Sequence, residues 1–368
     1  MTGPTSIAVF RIATSGPGDA SGLLALIDAG ALAPADILAV FGKTEGNGGV
    51  NDFTREFAVS ALCAALAPRL GLDAAAVEHR IAFVMSGGTE GVLSPHLTIF
   101  ARAPSGAPVE GKRLSVGIAQ TRDFLPEEIG RAAQITETAA AVKAAMAEAG
   151  IDDPADVHFV QVKCPLLTSA RIGAARARGE SVATLSTYTS MAYSRGASSL
   201  GIALALGEIA AMPADSDVLR DWSLYSRVAS ASSGVELMHN VVVVLGNAAG
   251  SSSPYVIGHA VMKDAIDLAA VAEAFASVGF DFPAIVAGEM AGRVVNVFAK
   301  AEASPDGTVR GDRHTMLEDT DISSTRHARA AVGGLVAGAA GTGAIYISGG
   351  AEHQGPPGGG PIAVIAKA

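Results

Sequence analysis

The sequence has few of the features that mark secreted or membrane proteins. Only two of its 368 residues are cysteine, Cys63 and Cys164, which cannot form a disulfide framework and favour a reducing compartment. No stretch approaches the roughly 20 consecutive apolar residues of a membrane-spanning helix, and the N-terminus lacks the pattern of a signal peptide. We therefore expect a cytoplasmic protein without a membrane partner.

Basic charge and aromatic residues are also scarce. The net charge of −10 leaves no basic face for nucleic acid, so we expect no nucleic-acid partner. Aromatic residues make up 5% of the chain while 49% of it is hydrophobic, so the core must consist mainly of Ala, Val, Ile and Leu. Composition predicts an α/β protein rich in alanine and glycine.

The chain contains a long-period internal repeat. Three segments, residues 1–104, 112–249 and 255–368, share the predicted order strand, helix, strand ending in lysine, helix with arginine, strand ending in serine, strand. In the second segment, one helix is predicted from Pro126 to Ala149. Three units of this size favour pseudo-threefold packing over a solenoid, with the strands in a central, barrel-like core and the helices outside.

A serine turn, S-x-G-x-E, follows the third predicted strand of each unit. The three turns begin at Ser86, Ser232 and Ser348. Two consecutive backbone N–H groups at such a turn can hold a carbonyl oxygen and stabilise the oxyanion that forms when the carbonyl is attacked. We prefer Ser232 as the nucleophile because its repeat differs most, with Ser233 in place of glycine; the sequence alone leaves the other two serines open.

Lysine ends an apolar strand in each unit, at Lys43, Lys163 and Lys300. One such lysine is usually a solvated residue, but three in equivalent positions indicate a shared site. Clustered ammonium groups would lower one another's pKa. A neutral lysine can accept the proton of a serine, so the pattern predicts Ser-Lys activation of a nucleophile.

An arginine follows a threonine or serine near the start of a predicted helix in each unit, at Arg55, Arg195 and Arg326. Such an arginine is often merely exposed, but its repetition beside the lysine and serine patterns favours a binding role. A planar guanidinium suits the carbonyl oxygens of a flat polar ligand. The glycine-rich tail at residues 352–360 is interpreted from its spacing as a loop, with a hard-cation site as the alternative.

Taken together, GKTEGNGGVNDFTR, VQVKCPLLT, SxGVE, TRHARAAVGG and SGGAEHQGPPGGGP resemble the cyanuric acid hydrolase and barbiturase family of cyclic amide hydrolases. The resemblance covers essentially the whole chain. It implies three units around one active site, a homotetramer, and hydrolytic opening of a cyclic imide, which would be the small-molecule partner.

The resemblance also implies roles for individual residues. Lys163 and Ser232 would form the working dyad, with Lys43, Ser86, Lys300 and Ser348 in supporting dyads. The groups implied in substrate binding are Arg55, Ser86, Gly87, Arg195, Ser232, Ser233, Arg326, Ser348 and Gly349. A structural Mg²⁺ or Ca²⁺ is implied at Glu302, Ala351, Gln354, Gly355, Pro356 and Gly359, and no cofactor is expected in catalysis.

The predicted reaction is ring opening of cyanuric acid to carboxybiuret, which loses CO₂ to give biuret. Three sets of arginine, serine and lysine suit a flat ring with three equivalent carbonyls. Barbiturase activity, which converts barbituric acid to ureidomalonate, is the alternative within the family. A small-molecule binder without activity is the alternative in another class, although such a protein would need no paired base.

Overall fold

The structure is a computed structural model that describes residues 6–107 and 109–368. The first five residues of the predicted first unit lie outside this description. The elements of that unit are, in chain order, β1 (Ser6–Ala13), α1 (Ser21–Asp28), a 3₁₀ turn (Pro34–Asp36), β2 (Ile37–Thr44), α2 (Phe53–Leu70), α3 (Ala74–Arg80), β3 (Ala82–Gly87) and β4 (His96–Ala103).

In the second unit, the helix predicted from Pro126 to Ala149 is interrupted. The elements of this unit are β5 (Arg113–Gln120), a 3₁₀ turn (Pro126–Glu128), α4 (Ala132–Ala149), a 3₁₀ turn (Pro154–Asp156), β6 (Val157–Cys164), α5 (Ser169–Ala177), α6 (Thr187–Ala205), β7 (Ala229–Ser233) and β8 (Val241–Ala248). The interruption falls at Gly130, whose φ of 79° is incompatible with a right-handed helix.

The third unit contains the same core elements and a small additional ribbon. Its elements are β9 (Tyr255–Met262), α7 (Leu268–Ala276), α8 (Phe282–Ala287), β10 (Val294–Ala301), β11 (Thr308–Val309), β12 (Asp312–Arg313), α9 (Ser324–Ala340), β13 (Tyr346–Gly349) and β14 (Gly360–Lys367). Within the described part of the chain, the strands β11 and β12 pair only with each other.

Local chemistry sets the ends of the long helices. The carboxylate of Asp52 accepts a hydrogen bond from the backbone N–H of Thr54 and so caps the start of α2. Gly71 ends that helix in the left-handed conformation, at a φ of 65°, and Gly150 ends α4 in the same way at 66°. The cap at Asp52 fixes where α2 begins, and hence where Arg55 lies.

Each unit forms one four-stranded sheet with the same strand order. The orders are β1-β4-β2-β3, β5-β8-β6-β7 and β9-β14-β10-β13. Each sheet contains one parallel pair of neighbouring strands, which is β2 with β3, β6 with β7, or β10 with β13. The C-terminal ends of the two strands of a pair therefore lie at the same edge of the sheet. This edge carries the predicted lysines and serines.

The inner faces of the three sheets share one apolar core, and the outer faces pack against the helices. Along β2, Ala39 and Phe41 belong to the shared core, whereas Val40 between them packs with the helices of its own unit. The other units alternate in the same way, with Phe159 and Phe298 in the shared core. The two-residue period of the strands therefore separates the central core from the outer ones.

The predicted closed, barrel-like arrangement of strands is wrong. In the part of the chain that the structure describes, the three sheets remain open, with no backbone ladder joining one to the next. Side chains occupy the junctions instead. The amide of Asn247 donates to the carbonyl of Ile257 at 2.7 Å and accepts from its N–H at 3.1 Å, which satisfies backbone groups at the β9 edge.

None of the helices within residues 6–107 and 109–368 is, taken singly, long and apolar enough to cross a membrane. The segments Phe53–Leu70 and Ala74–Arg80 pass that test only when joined, and they are bent by 98°.

A histidine pair joins the second and third units. Nδ1 of His158 lies 2.8 Å from Nδ1 of His259, a contact in which only one of the two nitrogens can carry the hydrogen. Burial lowers the pKa of both imidazoles to about 4, with Asp156 raising that of His158 and Arg227 lowering that of His259. The pair is therefore neutral at pH 7.

We expect this pair to make the fold sensitive to acid. Because both folded-state pKa values lie below the ordinary value near 6.5, the stabilisation is present above about pH 6.5 and is lost as the pH falls towards 4. His259→Asn, which cannot become charged, should lose less unfolding free energy over this range, by on the order of 1–3 kcal/mol. Urea unfolding at pH 7, 6, 5 and 4 measures this, with His239→Gln as the control; parallel curves for wild type and His259→Asn would contradict it.

Candidate active site

The predicted lysines and serines lie side by side in all three sheets. In each parallel strand pair, the lysine of one strand is in register with the serine of its neighbour. The paired residues are Lys43 with Ser86, Lys163 with Ser232, and Lys300 with Ser348. Because register partners on adjacent strands share a face of the sheet, each lysine is placed beside a serine hydroxyl by the backbone alone.

In the first unit, the lysine is bonded to its serine. Nζ of Lys43 donates to Oγ of Ser86 at 3.3 Å and to the carbonyl of Ile347, in the third unit, at 2.6 Å. The side chain is fully buried. The contact with Ile347 crosses from one unit to the next and fixes the position of the ammonium group.

The third unit repeats this arrangement. Nζ of Lys300 donates to Oγ of Ser348 at 3.2 Å and to the carbonyl of Ala231, in the second unit, at 3.1 Å. A further bond reaches the carbonyl of Gly349 at 3.1 Å. Two of the three lysines are thus held by their own serine and by a carbonyl of a neighbouring unit.

The second unit differs. Nζ of Lys163 lies 2.7 Å from Oε1 of Glu236. Among the described residues it has no hydrogen bond to Ser232 or to a backbone carbonyl. Lys163 and Ser232 are therefore register neighbours, but the ammonium group is turned towards a carboxylate.

The pKa values of the three lysines are all lowered, chiefly by burial. Burial is the largest cause in every case, and for Lys300 it brings the pKa to about 7. For Lys43 the next causes are the charge of Arg329, which lowers the pKa, and that of Glu90, which raises it. Mutual repulsion of ammonium groups, the cause predicted from the sequence, ranks below these.

Two arginines in the site are held by carboxylates of a neighbouring unit. Arg195 donates through Nε and Nη2 to Glu352 at 2.7 and 2.6 Å, and Arg329 donates through the same two nitrogens to Glu90 at 2.8 and 2.6 Å. Each glutamate is the last residue of an S-x-G-x-E turn. No role was predicted for these glutamates from the sequence, although their repetition in all three turns was a signal that could have indicated one.

Arg55 is bound differently. Its Nη1 donates to the carbonyl of Ser233 at 3.1 Å and its Nη2 to the carbonyl of Gly49 at 2.8 Å. The guanidinium is buried near the start of α2, where the cap at Asp52 sets the position of the first helical turn.

The arginine of α9 that reaches the three serine turns is Arg329, in place of the predicted Arg326. Arg329 is 3% exposed, whereas Arg326 is 44% exposed and donates through Nε to Oε1 of Glu90 at 3.0 Å. Both residues lie on α9, three positions apart and on nearly the same helix face. The depth of the helix in the fold decides which of them reaches the pocket.

A narrow inner pocket brings together the groups predicted to bind substrate, apart from Arg326. It is lined by Gly48, Arg55, Ser86, Gly87, Met191, Arg195, Ser232, Ser233, Arg329, Ser348 and Gly349. An outer cavity of about 380 Å³ shares Gly48, Met191, Arg195, Arg329 and Gly349 with it and contains Arg326. A ligand entering through the outer cavity would meet three serine turns and three guanidinium groups.

The serine turns require small residues. A Cβ at Gly87 would lie 1.7 Å from Oδ2 of Asp52, and one at Gly349 would lie 2.2 Å from Cγ2 of Thr325. Ser233 replaces this glycine in the second unit, and its hydroxyl accepts a hydrogen bond from Nη1 of Arg195 at 3.3 Å. The second turn is thus chemically distinct from the other two.

The predicted cation site is tested by the chemistry around Glu302. Burial, and then the charge of Glu352, raise the pKa of Glu302 to about 8, which a cation beside the two carboxylates would relieve. The tail passes close by, since Cβ atoms at Gly358 and Gly360 would lie 2.8 Å from Ser304 and Lys300 respectively.

Oxygen donors are the ligands available there. The described residues contain no cluster of three or more His, Cys, Asp or Glu side chains, so backbone carbonyls of residues 351–359 would have to complete the site. The side chain of Gln354 is already used, because Oε1 accepts from Ala231 N–H and Nε2 donates to the carbonyls of Gly350 and Glu352. One carboxylate with carbonyl oxygens fits Mg²⁺ or Ca²⁺.

Known proteins are similar to this chain along nearly its whole length. A cyanuric acid amidohydrolase of Bradyrhizobium diazoefficiens is 70% identical over 99% of this chain and 98% of its own length. One of Pseudomonas sp. strain ADP is 61% identical over 98% and 99%, and a cyclic amide hydrolase of Azorhizobium caulinodans is 52% identical over 98% and 100%.

Solved structures agree with these relatives. A cyanuric acid hydrolase superimposes with a TM-score of 0.94 at 60% identity, covering 99% of this chain and 100% of that one. Another, from A. caulinodans, gives 0.90 at 52% identity with 99% of each chain covered. The family described as the amidohydrolase ring-opening protein matches residues 8–367. The chain therefore belongs to the family of ring-opening amidohydrolases.

Proposed function

We propose that the protein hydrolyses one ring C–N bond of cyanuric acid to give carboxybiuret, which then loses CO₂ to form biuret. The observation that carries this proposal is the inner pocket, in which serine turns and guanidinium groups from all three units face one narrow space. We infer that the units are related by a pseudo-threefold axis through this pocket. Such a site matches a flat ring with three equivalent carbonyls, and the similar proteins of known name act on this compound.

Ser232 and Lys163 form the working dyad in this proposal. Ser232 is the most accessible of the three serines, at 8% exposed against 4% for Ser86 and 3% for Ser348. Among the described residues, Nζ of Lys163 contacts no backbone carbonyl, whereas Nζ of Lys43 donates to one. A base must be able to lose and regain a proton without breaking bonds to the backbone, and this favours Lys163.

The first half of the reaction forms a covalent intermediate. Neutral Lys163 takes the proton of Ser232, and Oγ attacks a ring carbonyl carbon while backbone N–H groups of the serine turns hold the oxyanion. The ring C–N bond breaks, and Lys163 returns its proton to the departing nitrogen. The guanidinium groups of Arg55, Arg195 and Arg329 orient the remaining carbonyl oxygens.

Water completes the reaction. Lys163, again neutral, takes a proton from water, whose oxygen attacks the acyl carbon of the Ser232 ester. The ester bond breaks, and the proton passes from Lys163 to Oγ, which regenerates the serine. The products are carboxybiuret and free enzyme, so all atoms balance with one water consumed.

The substrate is tested with the two rings of the family. Purified protein is incubated separately with cyanuric acid and barbituric acid, and the ultraviolet absorbance of each ring is followed. We expect cyanuric acid to disappear at least about 100-fold faster, because its three equivalent carbonyls match three binding sets. Boiled protein is the control, and preferential consumption of barbituric acid would establish the alternative.

We also propose a structural Mg²⁺ or Ca²⁺ held by the carboxylate of Glu302 and backbone carbonyls of residues 351–359. It would neutralise buried negative charge and tie the tail to β10. A chelator should lower the melting temperature by several degrees, and added Mg²⁺ or Ca²⁺ should restore it. In Glu302→Gln the effect should largely disappear. An unchanged melting temperature would contradict the proposal, and immediate loss of activity in folded protein would indicate a catalytic metal instead.

We also propose that the protein forms a homotetramer. Large apolar side chains such as Phe53 and Val286 are 75% and 73% exposed in the single chain, which is consistent with surfaces covered by further copies. Sedimentation equilibrium would give the mass of the assembly directly.

A further inference from the structure

The three glutamates of the S-x-G-x-E turns do not make equivalent contacts. Glu90 and Glu352 each bind an arginine through two hydrogen bonds. Glu236 instead lies against Lys163, with 2.7 Å between Oε1 and Nζ. The second unit therefore departs from the other two at the dyad to which we assign the chemistry.

By analogy with the other two turns, the partner of Glu236 would be Arg55, and the guanidinium of Arg55 is incompletely hydrogen-bonded. Nε of Arg195 and of Arg329 donates to a glutamate, whereas Nε of Arg55 is buried without a hydrogen-bond partner in the described chain. Arg55 nevertheless donates to the carbonyl of Ser233, three residues before Glu236 in the same turn, and its charge lowers the pKa of Glu236. Nε of Arg55 is thus a second place where Glu236 could bind.

The lysines differ in the same sense. Lys43 and Lys300 donate to the serines beside them, but Lys163 makes no bond to Ser232. If Glu236 moved to Arg55, the second unit would adopt the contacts seen in the other two. Glutamate would bind arginine, and lysine would turn to serine.

Glu236 and Lys163 border open space. A cavity of about 250 Å³ between the first and second units is lined by both Lys163 and Glu236 and, among the described residues, shares none of its lining with the inner pocket. The side chain of Glu236 is 24% exposed and folds over Gly234, where a Cβ would lie 2.1 Å from Oε2. Lys163 therefore lies between the cavity and the serine.

We propose that Glu236 is a positioning residue that holds Lys163 away from Ser232 in the free protein and releases it by moving to Nε of Arg55 when substrate fills the inner pocket. This inference rests on the proposed dyad. Arg55 transmits the change because it already bonds to the carbonyl of Ser233, within the pocket.

The charges around Lys163 determine the direction in which this exchange should shift its pKa. Burial lowers the pKa of Lys163, the charge of Glu236 raises it, and that of Arg55 lowers it. The pKa should therefore be higher in the free protein, with Glu236 adjacent, than in the complex. Other charged or titratable groups that face the pair or line the cavity are Arg171, Cys164, Glu78, His79 and His239.

The test compares two pH profiles. The acidic limb of kcat/KM reports the free enzyme, and that of kcat reports the complex with substrate. In wild-type protein with cyanuric acid, we expect the kcat/KM limb to lie at least about one pH unit above the kcat limb. In Glu236→Gln, the kcat/KM limb should move down to meet the kcat limb.

A second variant should move the other limb. Arg55→Lys keeps the charge but removes Nε, so Glu236 should stay on Lys163 and the kcat limb should rise to meet that of kcat/KM. Glu90→Gln is the matched control, because Glu90 binds Arg329; it should raise KM and shift neither limb. Titration of the substrate is common to all variants, so it cancels from their differences, and thermal unfolding checks that each variant is folded.

The outcomes separate this inference from the proposed function. If Lys163→Ala keeps wild-type turnover, the dyad itself is refuted. If Lys163→Ala is inactive but Glu236→Gln leaves both limbs at their wild-type positions, the dyad stands and the positioning role of Glu236 is refuted. Limbs that meet from opposite directions in the two variants would establish the exchange.

Discussion

Replacing Ser232 with alanine is expected to lower kcat by about 10⁴-fold or more, because the variant has no hydroxyl at the position of the covalent bond. Ser86→Ala and Ser348→Ala should retain measurable turnover, at roughly 1–10% of wild type, since in our account they only bind and orient the ring. Steady-state loss of cyanuric acid at saturating concentration measures all three.

These serine variants control for one another. All three serines are buried at equivalent register positions, so the three substitutions remove the same atom from similar surroundings. Equal melting temperatures would show that differences in rate are chemical. An inactive Ser86→Ala beside an active Ser232→Ala would show that the nucleophile belongs to the first unit.

Arg329→Lys is expected to lower kcat/KM by about 10²-fold, whereas Arg326→Lys should change it by less than about threefold. Arg329 lines the inner pocket and binds Glu90 through two nitrogens, and lysine keeps the charge but loses this planar geometry. Arg326 is exposed at the outer cavity and makes a single bond to the same carboxylate.

The two variants lie on the same helix and change the same residue type, so their kinetics are directly comparable. Equal losses in both, or a larger loss for Arg326→Lys, would restore the arginine assigned from the sequence. Thermal unfolding is needed beside the kinetics, because disturbing a buried pair with Glu90 also costs stability, by on the order of 3–5 kcal/mol when a partner is removed entirely.

The positions of the lysines and serines near strand ends could be predicted because they depend on local pattern. Each lysine is the next-to-last residue of an apolar strand, each serine is the next-to-last residue of a later strand, and the two strands are parallel neighbours in all three sheets. Equivalent strand ends meet at one edge, so repeated residues at those ends necessarily converge within a unit.

The choice between Arg326 and Arg329 could not be made in this way. Arg55 is the third residue of α2, but Arg195 is the ninth residue of α6 and Arg329 the sixth of α9. Distance from the helix start is therefore not shared among the units. Which arginine reaches the pocket depends on how each helix is set against its sheet, which is a tertiary property.

The orientation of the Lys163 side chain could not be predicted from the sequence either. Its register with Ser232 follows from the strands, but its ammonium group follows the carboxylate of Glu236, which approaches from the turn after β7. The three similar turns also suggested three equivalent lysine–serine contacts, whereas the second unit differs from the other two. The open sheets were missed for a related reason, since closure depends on contacts between edges that are far apart in sequence.

The most direct measurement of the central claim is peptide mapping by mass spectrometry after acid quenching of enzyme that is turning over cyanuric acid. The account predicts a peptide that contains Ser232 and carries the added mass of the ring-opened acyl group, and predicts that Lys163→Ala forms none of it. The same mass on the peptide of Ser86 or Ser348 instead, or unmodified serine at every quench time during rapid turnover, would contradict the account.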